Sequence, residues 1–135
     1  MNPNWETLPN RGGPAGGGYV SAVDWIRFGD ALRSGKLVSR AWLDSLWTAR
    51  VKTSIMTQET WYGYGFFVRQ TALGRRVGHT GGSPGVADAV DIYPDKGYVV
   101  AVLTNQDGPG LQIAMRKITA GLEGVERATR GSGSP

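Results

Sequence analysis

Apolar positions along the chain change period twice. From Trp25 through Phe28 to Leu32 they recur at spacings of three and four, the mark of a helix with one buried stripe. Ser21 with Asp24 three residues on makes a capping-box pattern just ahead of that stripe, and Gly35 stands where a left-handed residue would close it. A helix is therefore predicted over about residues 22–34. Ser39 caps a second, shorter helix over 41–47, after which residues 53–60 lose the helical period. Residues 62–68 then alternate large and small side chains as a strand does, and Gly74 marks a turn into a strand over 76–80. In the next segment Val86, Asp88, Val90 and Ile92 fall on one face and Ala87, Ala89, Asp91 and Tyr93 on the other. Pro94-Asp95-Lys96-Gly97 is a turn, because proline presets its backbone angle and glycine accepts positive φ. Residues 98–103 are apolar on both faces, as expected of a central strand. Asp107-Gly108-Pro109 opens a last helix with Leu111, Ala114, Ile118 and Leu122 in one stripe.

This order predicts an α+β fold in which helices cover an antiparallel meander sheet of three to four strands. Pro3, Pro9 and Pro14 with the glycines at 12, 13, 16, 17 and 18 make residues 1–18 a Gly/Pro-rich loop or linker. Residues 19–126 form the structured domain, and 127–135 a flexible tail rich in Gly and Ser. A chain of 135 residues with 40% hydrophobic content suffices for one domain and is too short for two ordinary ones.

Charge and rare residue types narrow the chemistry. The net charge of +4 comes from basic residues spread between Arg11 and Arg130 and interleaved with acids, a solvated surface rather than a nucleic-acid footprint. With no cysteine there is no disulfide framework, no cysteine zinc site and no thiol nucleophile. His79 is the only histidine, which excludes a His-pair metal site. No apolar stretch approaches the roughly 20 residues of a membrane span, and residues 1–6 lack the basic start and apolar segment of a signal peptide. The compartment stays open. Gly81-Gly82-Ser83-Pro84-Gly85 lacks the Gly-Lys-Ser/Thr of a phosphate loop and opens no helix, so no nucleotide cofactor is expected. Trp25, Trp42 and Trp47 sit on the amphipathic helices and read as core or covered surface rather than as a stacking platform; the remaining tryptophans are Trp5 and Trp61.

The most informative stretch is Gly78-His79-Thr80-Gly81-Gly82-Ser83-Pro84-Gly85, followed by Asp91-Ile92-Tyr93-Pro94-Asp95. Its X-Thr-Gly triplet resembles the third signature element of the penicillin-recognising serine hydrolases, in the His-Thr-Gly form of DD-peptidase-like and esterase-like members of the serine beta-lactamase family. The resemblance extends through 11–19, with Arg11-Gly12-Gly13-Pro14, and through Tyr62-Gly63-Tyr64-Gly65-Phe66 to Gly97-Tyr98-Val99-Val100, covering most of residues 11–108. It implies a partial beta-lactamase-like α/β lobe from the C-terminal segment of such a hydrolase. The implied chemistry is acyl transfer on a small-molecule amide or ester in the intact protein, with no metal and no cofactor. His79, Thr80 and Gly81 would then face the substrate and the Gly82 N–H would serve the oxyanion hole.

The nucleophile motif Ser-x-x-Lys is missing. Three residues before Lys36, Lys52, Lys96 and Lys117 stand Arg33, Ala49, Tyr93 and Ala114. Tyr19-Val20-Ser21 spells Tyr-x-Ser but runs into the first helix cap. Ser83 has only His79 as a nearby base and no carboxylate at a motif spacing to orient that imidazole. The chain alone is expected to be inactive. Two rivals are a non-catalytic module that binds itself or a partner, and a small esterase using Ser83 and His79. A sheet lacking the family's early strands would leave an open edge and apolar surface around Tyr62, Tyr64, Phe66 or the tryptophans, so a homo-oligomer is expected.

Overall fold

The computed structural model describes residues 6, 8, 11–54 and 59–131. Trp5, most of the first ten residues of the expected linker and residues 132–135 of the expected tail lie outside them. In chain order the elements are α1 (Ala22–Arg33), α2 (Arg40–Leu46), β1 (Val51–Thr53), β2 (Thr60–Tyr62), β3 (Phe67–Thr71), β4 (Gly74–Ser83), β5 (Val86–Tyr93), β6 (Tyr98–Thr104) and α3 (Gly110–Gly131). The strands form one antiparallel meander, β1-β2-β3-β4-β5-β6. The α+β class and the meander are as expected, but the sheet has six strands rather than three to four.

The extra strands arise where one was expected. Residues 62–68 do not form a single strand: Tyr62 ends β2, Phe67 begins β3, and the Gly63 N–H donates to the Phe66 carbonyl across the turn between them at 2.8 Å. The reason is packing against α2. A Cβ on Gly63 would collide with the Leu46 carbonyl oxygen and stand 2.8 Å from that of Thr48, so the chain must turn where it meets the end of that helix. The Tyr64 N–H donates to the same Leu46 carbonyl at 3.1 Å.

Both helix starts follow the sequence. The Ser21 side chain accepts from the Asp24 N–H and the Asp24 carboxylate accepts from the Ser21 N–H, while the Ser39 hydroxyl accepts from the Trp42 N–H. The helices cover opposite sides of the sheet. Leu32 of α1, with Leu43 and Trp47 at α2, packs on Val68, Val77 and Ile92. On the other side Met115 and Leu122 of α3 pack on Leu73, Tyr93 and Val100. Neighbours along one strand thus serve different cores, Ile92 one and Tyr93 the other, as the two-residue period requires.

Three expectations change. Residues 98–103 belong to β6, which ends the strand order instead of occupying its centre; they are apolar on both faces because α1 lies on one and α3 on the other. In α3 Leu111 is buried and Met115 and Leu122 are half-buried against the sheet, while Ile118 is 40% exposed. Trp42 is 65% exposed, since it points away from the side of α2 that carries buried Leu43. In addition α3 continues to Gly131, beyond residue 127 where a tail was expected, with the Thr129 hydroxyl bonded to the Glu126 carbonyl. No helix among the described residues is long and apolar enough to cross a membrane.

The far half of α3 is clamped to the β5–β6 turn by Glu126, which accepts from Lys96 Nζ and from the Tyr98 hydroxyl. These two hydrogen bonds hold its carboxyl below the ordinary glutamate range. A depressed folded-state pKa means stability that is present above the unfolded pKa and lost as pH falls through the folded one. Glu126→Gln should therefore lower the urea midpoint at neutral pH, and the difference from wild type should shrink as pH is lowered through the carboxylate range. Urea titrations over that pH range check this.

Candidate functional site

The candidate site is built from the difference in length between two paired strands. β3 and β4 stay in register from Thr71↔Gly74 to Phe67↔Gly78, and there β3 begins. β4 runs on for five residues to Ser83, paired on its other side with β5 from Val77↔Ile92 to Ser83↔Val86. Two-residue turns at Ala72-Leu73 and Pro84-Gly85 close both hairpins, which makes Thr71/Gly74 and Ser83/Val86 hydrogen-bonded pairs. Along β4, the odd-numbered residues from 79 to 83 therefore bond to β5, and the even-numbered ones turn their N–H and C=O toward the β3 side. Thr80 and Gly82 point there past the end of β3, onto an open edge. Both are exposed.

His79 borders that edge. Its Nδ1 is 2.7 Å from the Thr80 carbonyl oxygen and its Nε2 is 3.0 Å from the Tyr62 hydroxyl. The imidazole stacks on Phe67, with ring centroids 5.0 Å apart and planes 21° apart, while Tyr62 meets Phe67 edge-on at 5.0 Å. The ring thus lies against the Thr80 carbonyl.

Glycine is required just before the histidine. A Cβ on Gly78 would collide with the Val90 carbonyl oxygen and lie 2.5 Å from Asp91 Oδ1. Its absence lets the Asp91 carboxylate lie across β4, 3.3 Å from Arg76 Nη1. Asp91 is almost fully buried, and burial pushes its carboxyl above the ordinary aspartate range despite the attraction of Arg76 and then Arg69. Behind the edge, Asp95 accepts from the Arg75 N–H at 3.1 Å, tying the 94–97 turn to the start of β4.

All four expected site residues, His79, Thr80, Gly81 and Gly82, lie on this one exposed segment, with half-buried Ser83 following them. Gly81 sits between His79 and Ser83 on one face of β4, and the Asp88 carboxylate fills the room a side chain at 81 would take: Oδ2 lies 2.7 Å from where a Cβ would stand. Sequence reasoning missed Tyr62, Phe67 and Asp88. No local pattern marked them, since they reach the β4 edge only through strand pairing, Asp88 as the partner of Gly81. Among the described residues no three His, Asp or Glu side chains gather as metal ligands.

The chain is similar to known proteins in sequence and fold. Residues 1–122 match the family model described as Beta-lactamase. Among solved structures, a penicillin binding protein from Bacillus halodurans is 30% identical with a TM-score of 0.77, over 87% of this chain and 35% of its own. The octameric penicillin-binding protein homologue from Pyrococcus abyssi is 25% identical with a TM-score of 0.59, over 64% of this chain and 20% of its own. A D-stereospecific amidohydrolase from Streptomyces sp. is 28% identical with a TM-score of 0.54, over 63% and 25%. The chain thus spans about a third of the first of these and a quarter or less of the others. No curated protein sequence matches it significantly.

The ladder pattern makes a measurable forecast. Amide hydrogen exchange should be slow at Gly81 and Ser83, whose N–H groups bond to β5, and faster at Thr80 and Gly82. Equal protection at Gly81 and Gly82 would show that the Gly82 amide is tied up.

Proposed function

Because this chain belongs to the beta-lactamase family, we propose that it is one part of a serine hydrolase that transfers acyl groups from an amide or ester, and that it carries the oxyanion edge of that site. The supporting observation is the overhang of β4 beyond Phe67↔Gly78, which directs the Gly82 N–H onto an open edge beside His79. A donor fixed in advance at the position where charge develops on a carbonyl oxygen stabilises the transition state, typically by about 2.7–4 kcal/mol. In this reading His79, Thr80 and Gly81 line the substrate's path. The nucleophilic serine, its lysine and the catalytic tyrosine are supplied by residues other than these 135.

The chain by itself is then inert, since loss of a seryl nucleophile typically lowers kcat by about a millionfold. Ser83 is a poor substitute: His79 Nδ1 is engaged by Thr80 and Nε2 by Tyr62. We expect no covalent labelling by a fluorophosphonate or penicillin probe and no saturable turnover of a chromogenic cephalosporin or a short nitrophenyl ester. Labelling that disappears in Ser83→Ala would replace this reading with the small-esterase one.

A second reading, self-association, is favoured by the β6 edge. In the β5–β6 ladder the even-numbered residues of β6 bond inward, so Val99, Ala101 and Leu103 turn their backbone groups away from the sheet. No described strand pairs with them, and Tyr98–Thr104 contains no charge, proline or bulge to discourage an added strand. Leu103 is 39% exposed beside it. A homodimer or larger oligomer by strand addition follows. Light scattering over a wide concentration range should show it, and a monomer at the highest concentration would rule it out.

A further inference from the structure

We propose that Tyr62 is a positioning residue for His79: its hydroxyl donates to Nε2 and so holds the neutral imidazole as the Nδ1–H tautomer, folded back over the Thr80 carbonyl. A carbonyl oxygen only accepts, so the 2.7 Å contact with Thr80 requires a proton on Nδ1. In the neutral ring Nε2 is then a bare lone pair, and the Tyr62 hydroxyl 3.0 Å away is its donor. The opposite tautomer would set the Nδ1 lone pair against the Thr80 oxygen and force the ring to swing out. Tautomer and ring position are therefore coupled, and Tyr62 controls both.

The tyrosine can do this because it is itself fixed. It ends β2 opposite Phe67, its ring is edge-on to that of Phe67, and the turn that follows is pressed onto the end of α2 through Gly63. Phe67 stacks on the imidazole and sets its plane. The Tyr62-Gly63-Tyr64-Gly65-Phe66 segment thus delivers one hydroxyl to one ring nitrogen. With both nitrogens occupied, His79 is a wall of the β4 edge and neither a base for Ser83 nor a free donor. The importance of that wall for substrate rests on the oxyanion reading above; the tautomer does not.

Nitrogen-15 correlation spectra of the labelled 135-residue chain, above the pH at which the imidazole protonates, test the proposal without recourse to activity. The wild-type protein should give the Nδ1–H pattern alone. Tyr62→Phe, matched to wild type by circular dichroism and melting, should lose that exclusivity and gain the Nε2–H form. Replacement of tyrosine by 3-fluorotyrosine, which strengthens the donor at almost unchanged size, should restore the exclusive pattern and move the Nε2 resonance further upfield. An Nε2–H wild type, an unchanged tautomer in Tyr62→Phe, or an unmoved Nε2 resonance with 3-fluorotyrosine would each overturn it. The last comparison decides the matter even if Tyr62→Phe fails to fold. Probe labelling bears only on the hydrolase reading, so the two can fail separately.

Discussion

The His79 edge depends on a close approach some distance from it, that of Gly63 to the Leu46 carbonyl. An α-helix ends with carbonyls that have no partner inside the helix. The last turn of α2 passes one of them to the 63–66 turn, where the Tyr64 N–H takes it and the missing side chain of Gly63 makes the room. That contact decides where β2 must stop and β3 may start. Where β3 starts decides how far β4 extends unpaired on that side, and hence that Thr80 and Gly82 face an open edge. A larger residue at 63 would collide with the end of α2.

A second constraint acts through the sheet's two covered faces. Tyr98–Thr104 is as apolar as an interior strand because α1 packs against one of its sides and α3 against the other, yet its outer backbone groups meet no described strand. Burial of side-chain faces and satisfaction of a strand edge are separate requirements: the first is met by helices, the second only by another strand or by water. The chain meets the first at β6 and leaves the second to something else.

The sequence made the capped helices legible because a cap and a stripe are local features: Ser21, Asp24 and Ser39 act within one turn, and their bonds form as expected. The turn at Pro94–Gly97 was equally local. The β2–β3 hairpin was not, since alternation of large and small residues over 62–68 suits a strand, and only the proximity of α2 forces a turn there. The place of β6 was hidden for a related reason: an apolar strand reports coverage of its faces and says nothing about its edges. The expected site residues His79 through Gly82 form a contiguous motif. Tyr62, Phe67 and Asp88 could not be read with it, because their relation to it exists only through strand pairing, with Tyr62 and Phe67 17 and 12 residues from His79 and Asp88 7 residues from Gly81.

The division of the imidazole between Tyr62 and Thr80 also bears on what chemistry this part of the fold can hold alone. A serine is activated when a base accepts its proton as it attacks, and the base needs a free nitrogen directed at the hydroxyl. Here the only histidine spends both nitrogens on the edge itself, and the Asp88 carboxylate lies over Gly81, between His79 and Ser83, without a hydrogen bond to either among those described. What is left is a fixed dipole, the Gly82 N–H, on a strand that cannot retreat because β5 holds its other side. Such a dipole lowers a barrier only when a nucleophile is brought to the carbonyl it polarises. Under the oxyanion reading proposed above, the edge would serve a reaction whose attacking group comes from residues other than these.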